Sequence, residues 1–141
     1  MPKLTALLSA SLLLAACSTA MTTHTPDSLL VRHWQVIELD GKPAEGDYAL
    51  TIARDGKLSA YFGCNRIIAA LERAQDGQFK LASDVASTRM LCPHGDEQRG
   101  IAALQSAVRY DVVTRKAPVE RLELRDGSGK VRLTALYRLF N

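Results

Sequence analysis

The residues in this chain best placed to do chemistry are its three cysteines, Cys17, Cys64 and Cys92, with His94 the one histidine near any of them. Their settings differ. Cys17 follows Leu14-Ala15-Ala16 at the end of an apolar run that starts at Leu4, behind Lys3. A short basic region, an apolar stretch of about 13 residues and small residues at the end are the parts of an export signal. The run is shorter than the ~20 residues a membrane-spanning helix needs. A cysteine directly after Leu-Ala-Ala is what bacterial lipoprotein processing requires. Its thiol takes a diacylglycerol, and the amine freed by cleavage takes a third acyl chain. The expectation is a signal peptide over residues 1–16, lipidation at Cys17 and membrane attachment through that lipid, with an ordinary secreted protein as the alternative. Two or more acyl chains suffice for stable anchoring. Ser18 follows the lipidated position. The segment is similar to the lipoproteins of enteric-type bacteria, in which an aspartate there retains the protein at the inner membrane; that resemblance, with serine in its place, implies the outer membrane, facing the periplasm.

Cys64 and Cys92 remain as an even pair in an exported, oxidising setting. A disulfide between them is the economical reading. It would close a loop of about 28 residues and contribute roughly 3–4 kcal/mol by chain-entropy reasoning. The alternative is two buried free thiols. A nucleophilic cysteine would need an activating histidine, and His94 is the local candidate. A metal site built on Cys64, Cys92 and His94 has poor spacing, because Cys92-Pro93-His94 leaves one intervening residue and no fourth ligand is evident. Asp96-Glu97 reads as a pair of charges favourable at a helix start. Arg66 and Arg89 each neighbour a cysteine segment. They could form an anion patch if the segments are bridged, or cap loops and pair with Asp84 or Glu97. No glycine-rich phosphate loop precedes a helix. The reading therefore assigns no catalytic residue, no metal and no cofactor.

The elements that must position these residues are mostly short strands. Loss of Lys3 with the leader would leave a net charge of about +2, and its charges alternate in sign, as in Arg121-Leu122-Glu123-Leu124-Arg125-Asp126. That is a solvated strand face. No basic stripe with interleaved aromatics occurs, so nucleic-acid binding is not expected. Residues 17–29 read as the lipidated cysteine and a flexible tether, and residues 30–141 as one domain with one modest core. Strands are expected at His33–Leu39, Tyr48–Ala53, Lys57–Phe62, Gln78–Ala82, Glu120–Arg125 and Lys130–Leu139, separated by Asp-Gly and Gly-Ser-Gly turns. Ile67–Glu72 suits either a strand or a helix. Asp84–Cys92 reads as a loop. Asp96–Tyr110 reads as the one helix, with Ile101, Leu104 and Val108 on one stripe and Ala107 filling it. Trp34, Phe62, Phe79, Leu122 and Tyr137 are the bulky inward set. The fold class is mainly β (α+β), a small antiparallel barrel-like sheet with one α-helix.

Two blocks carry a resemblance to a known family: Asp55-Gly56-Lys57-Leu58-Ser59-Ala60-Tyr61-Phe62-Gly63-Cys64-Asn65-Arg66, and Ala86-Ser87-Thr88-Arg89-Met90-Leu91-Cys92-Pro93. With Trp34 in the first strand, Glu97 in the helix and Leu122-Glu123-Leu124 before a glycine-rich turn, the chain resembles the META domain of the HslJ-type heat-shock lipoproteins over roughly Leu30 to Leu139. The resemblance implies a mainly β envelope domain linked to stress, with no established enzyme activity. It also implies that Gly63, Cys64, Asn65, Thr88, Met90 and Cys92 lie together, with Arg66 and Arg89 beside them. The stretch after Arg66 departs from the usual glycine- and aromatic-containing pattern. Read as residues, Gly63 suits a bend or a close backbone pass. Asn65 suits left-handed geometry at its exit. Thr88 suits bonds to loop amides, and Met90 suits a filler under the loop. The function expected is a monomeric, lipid-anchored, non-enzymatic binding or protective module. The alternatives are a periplasmic inhibitor or chaperone-like binder of a specific protein, acting through a loop beside the cysteine pair, and a carrier of a small apolar ligand; the partners expected are the membrane, through the lipid, and an unidentified envelope protein.

Overall fold

Asp40-Gly41 and Asp76-Gly77 each hold two successive residues at positive φ, 53° for the aspartate and 75° for the glycine in both turns. That geometry joins two strands through a two-residue loop whose twist matches theirs. In the computed structural model, which describes residues 25–116 and 119–138, the first turn joins β1 (His33–Leu39) to β2 (Lys42–Ile52), and the second joins β4 (Arg66–Gln75) to β5 (Gln78–Ser87). Between them lies β3 (Lys57–Tyr61). After α1 (Glu97–Ser106) come β6 (Ala107–Lys116), β7 (Val119–Asp126) and β8 (Val131–Arg138). Each strand pairs antiparallel with the next, and β8 returns to β1, closing a barrel. The expected class, a mainly β antiparallel barrel with one helix among the described residues, is what forms. Cys17 and the leader before it lie outside the described residues.

Alternation of apolar and polar residues decides which side faces in. Leu50 and Ile52 on β2, Leu58 and Ala60 on β3, Phe79 and Leu81 on β5, and Leu122 and Leu124 on β7 are buried. Trp34 and Phe62 are fully buried, and Tyr137 is half-buried against the same core. Trp34 satisfies its indole N–H by donating to the Leu30 carbonyl at 3.0 Å. Arg121, Glu123 and Arg125 of β7 lie on the other face, where Glu123 accepts from Arg121 at 2.9 Å and also pairs with Arg125.

Several boundaries differ from expectation. The second strand, expected from Tyr48, starts at Lys42, where it pairs with Leu39 directly after the Asp40-Gly41 turn. The ambiguous Ile67–Glu72 segment belongs wholly to β4, because Ile67, Ala69 and Leu71 are buried alternately and β3 and β5 supply pairing on both sides. The loop expected from Asp84 starts only after Ser87. The helix expected to reach Tyr110 ends at Ser106, and Ala107 turns extended to open β6. Val108 continues the helical stripe in sequence but is exposed, while Ala107 and Tyr110 are buried and the β-branched Val112-Val113-Thr114 pairs with β7. Finally, packing begins before Leu30. Pro26 is buried, the Asp27 amide donates to the Ala74 carbonyl at 2.7 Å, and the Tyr110 hydroxyl donates to the Asp27 carboxylate at 2.9 Å. Burial first, and then that bond, pushes the Tyr110 phenol up to about 12.

The helix crosses the barrel with Gly100, Ala103 and Leu104 inward. Gly100 sits against Phe62 so closely that a Cβ would run into the ring. Helix propensity alone favours Gly100→Ala by about 1 kcal/mol, whereas overpacking a core costs about 1–3 kcal/mol. We expect Gly100→Ala to be destabilising on balance, lowering stability by about 1 kcal/mol in urea unfolding. A raised midpoint would show that Phe62 yields freely.

Candidate functional site

The site begins where β3 ends. Phe62 sinks into the core, so the chain must turn at once to leave it. Gly63 makes that turn at φ +102°. A Cβ there would also meet the Tyr48 ring at 3.2 Å and the Gly95 backbone at 3.6 Å, so the position needs glycine for two reasons. Cys64 and Asn65 follow, and β4 starts at Arg66. The return segment Thr88–Cys92 comes from the end of β5 and leads through Pro93 to α1.

The two segments are joined at two adjacent points. Cys64 and Cys92 stand at disulfide distance, with Cα atoms 6.0 Å apart, inside the span a disulfide accepts. Beside them the buried Asn65 amide reaches across. Its Oδ1 accepts from the Met90 amide at 2.7 Å and from the Thr88 hydroxyl at 3.0 Å. Its Nδ2 donates to the Glu97 carboxylate at 2.7 Å, with the Met90 carbonyl and Cys92 Sγ each at 3.2 Å. A short polar ladder completes the join. The Arg66 amide donates to Thr88 Oγ1, and the Thr88 amide to the Arg66 carbonyl, both at 3.0 Å. Ser87 Oγ donates to Glu97 Oε1 at 2.9 Å. At the helix start Asp96 does not cap α1 with its side chain. Its carboxylate accepts from the Tyr48 hydroxyl at 3.0 Å and from Arg99 at 2.6 Å. Burial, and then the bond to Asp96, pushes the Tyr48 phenol above its ordinary value.

Gly63, Cys64, Asn65, Thr88, Met90 and Cys92 therefore lie together. Two of the roles read from sequence change. Asn65 does not adopt positive φ; its amide is spent on a distant loop rather than its own turn, because a buried amide needs partners that the loop main chain offers. Met90 fills no gap: its main chain faces Asn65 and its side chain is 61% exposed. Arg66 and Arg89 are exposed and form no ion pair with Asp84 or Glu97 among the described residues. His94 is exposed too, and no group of three or more His, Cys, Asp or Glu converges as a metal site requires among the described residues. No sequence pattern marks Tyr48, Ser87 or Leu91 as part of the site. Leu91 is 99% exposed. Its only signal was an apolar residue beside a cysteine in a segment with no alternation. The cluster orders main chain: an amide, two hydroxyls and a carboxylate hold a loop while the side chains of Arg89, Met90 and Leu91 point to solvent.

Residues 27–136 match the family model of the META domain. No curated protein matches the chain. Among solved structures, an NMR structure of a protein from Burkholderia xenovorans is similar at a TM-score of 0.59 and 19% identity, covering 100% of both chains. A crystal structure of a DUF4847 family protein from Bacteroides vulgatus is similar at a TM-score of 0.54 and 14% identity, covering 81% of this chain and 97% of that one. At these identities the likeness is one of fold.

Asn65→Ala removes both bonds to Met90 and leaves Glu97 and Thr88 short of partners. We expect a loss of about 2–4 kcal/mol in urea unfolding and faster exchange of the Met90 amide proton. A native-like midpoint with an unchanged Met90 amide would show that the amide does not hold the loop.

Proposed function

The chain belongs to the META domain family, and we propose that it acts as a non-enzymatic binding module anchored to the bacterial outer membrane by lipid on Cys17 and facing the periplasm. The observation that carries the binding reading is the Thr88–Cys92 loop. Three groups of contacts hold its main chain, and its apolar side chains, Met90 and Leu91, are turned to solvent. Exposed apolar residues on an ordered support are the anchors that interfaces use, because little conformational entropy is lost when they dock. The reading needs no cofactor. Cys64 and Cys92 serve it as a staple rather than as nucleophiles, and the polar groups around them serve it by bonding main chain. A stress-related role is supported by the resemblance to the HslJ-type lipoproteins, and a monomeric state suits a module presented on a tether.

Carriage of a small apolar ligand is less favoured. A carrier barrel needs room inside, and here Trp34, Phe62, Phe79, Leu50, Leu122 and Leu124 take up the interior with almost no exposure. The Leu14-Ala15-Ala16-Cys17-Ser18 sequence supports the address.

In cells fed labelled palmitate, the protein should take up label and sediment with outer membranes. Cys17→Ala should lose the label and the membrane association while the domain keeps its fold. An unlabelled native protein recovered in the soluble periplasm would contradict the anchoring.

A further inference from the structure

Met90 turns both its N–H and its carbonyl toward Asn65. Its neighbours Arg89 and Leu91 make no hydrogen bond through their main chain among the described residues. Met90 is thus bonded to the domain while the main-chain groups of the residues on either side are free to pair elsewhere. A second extended chain can pair with such groups. The most exposed of the large apolar side chains among the described residues, Leu91, is 99% exposed. The peptide bond after it, Leu91–Cys92, is flanked by two anchors: Asn65 holds Met90, and Cys64 stands at disulfide distance from Cys92.

We propose that the Thr88–Cys92 loop occupies the substrate cleft of a serine endopeptidase of apolar specificity, with Leu91 in its primary pocket, and blocks that enzyme. This deepens the binding reading above and rests on it, but not on the lipid anchor. Endopeptidase clefts pair with substrate main chain and take one side chain in a pocket; the loop offers unbonded main chain at Arg89 and Leu91 and the exposed Leu91 side chain. Pre-organised loops bind tightly because their ordering is already complete before association. The double anchoring also explains why such a loop resists turnover. If water cleaves the Leu91–Cys92 bond, the new carboxylate stays held through Met90 and the new amine through Cys92, so neither product end leaves the cleft. A serine rather than a cysteine enzyme fits, because the oxidising compartment in which the Cys64–Cys92 staple would form also removes free thiolates.

The test uses the full mature chain in detergent micelles, with chymotrypsin and subtilisin as the probe enzymes and a chromogenic peptide as reporter. The expected result is competitive inhibition of at least one enzyme, weakened about 100-fold by Leu91→Asp, with Leu91→Lys redirecting inhibition toward trypsin. Leu91 is on the surface, so both variants should keep the native circular dichroism spectrum. The proposal is overturned if neither enzyme is inhibited, if Leu91→Asp inhibits as well as the native chain, or if the loop is simply cut and released. A photo-crosslinker at position 91, used in intact envelopes, separates the two levels. A single captured partner that is not a peptidase, together with no inhibition, sinks the peptidase proposal and leaves the binding reading standing. No inhibition and no captured partner sinks both.

Discussion

The carboxamide of Asn65 is the interaction on which the rest of the site depends. It is buried and ties its own segment, just before β4, to two distant parts of the chain: the Thr88–Cys92 loop and Glu97 at the start of α1. Each bond contributes on the order of 1 kcal/mol net, but the asymmetry matters more. A buried amide whose partners are withdrawn keeps its full desolvation penalty, so the loop, the helix start and the strand start are stable only together. The cysteine pair lies one residue away on the same segment and ties the same loop. The bend at Gly63 brings both residues to this position, and it exists because Phe62 enters the core immediately before it.

That arrangement also bears on how the barrel closes. Seven of the eight junctions are ladders with several paired positions, whereas β5 meets β6 at one, Gln78↔Arg109, supplemented by the Tyr110 amide donating to the Gly77 carbonyl at 2.9 Å. Strand edges left unpaired invite other chains unless they are covered. Here the stretch between the two strands in sequence is the loop and α1, which packs on Phe62 through Gly100. The segment before β1 adds Asp27, bonded to Ala74 on β4 and Tyr110 on β6. Closure at this seam therefore depends more on side-chain packing and two tertiary hydrogen bonds than on a sheet ladder.

Much of this was legible in the sequence wherever a local rule had no competitor. The Asp-Gly turns after Leu39 and Gln75, the alternation of Leu58 and Ala60, and that of Leu122 and Leu124 each allow one conformation, and the structure has it. Legibility failed where two periods fit. Ala69-Ala70-Leu71-Glu72 satisfies a helix or a strand, and neighbouring strands decide. Ala107 and Val108 extend the stripe of α1, so β6 was concealed by the helix before it. It failed again where a residue's partner is remote. The grouping of Gly63, Cys64, Asn65, Thr88, Met90 and Cys92 followed from the family resemblance, but the use of Asn65 as a bridge and the outward turn of Met90 and Leu91 depend on contacts 25 residues away in sequence. No composition or spacing rule reports those.

Asn65 and the cysteine pair hold the Thr88–Cys92 loop as firmly as a strand. Backbone nitrogen relaxation of the oxidised protein measures this directly. Order parameters for residues 88–92 should be about 0.85, the value of rigid backbone. Values below about 0.6 across those residues, beside rigid strands, would mean a mobile loop and would contradict that hold.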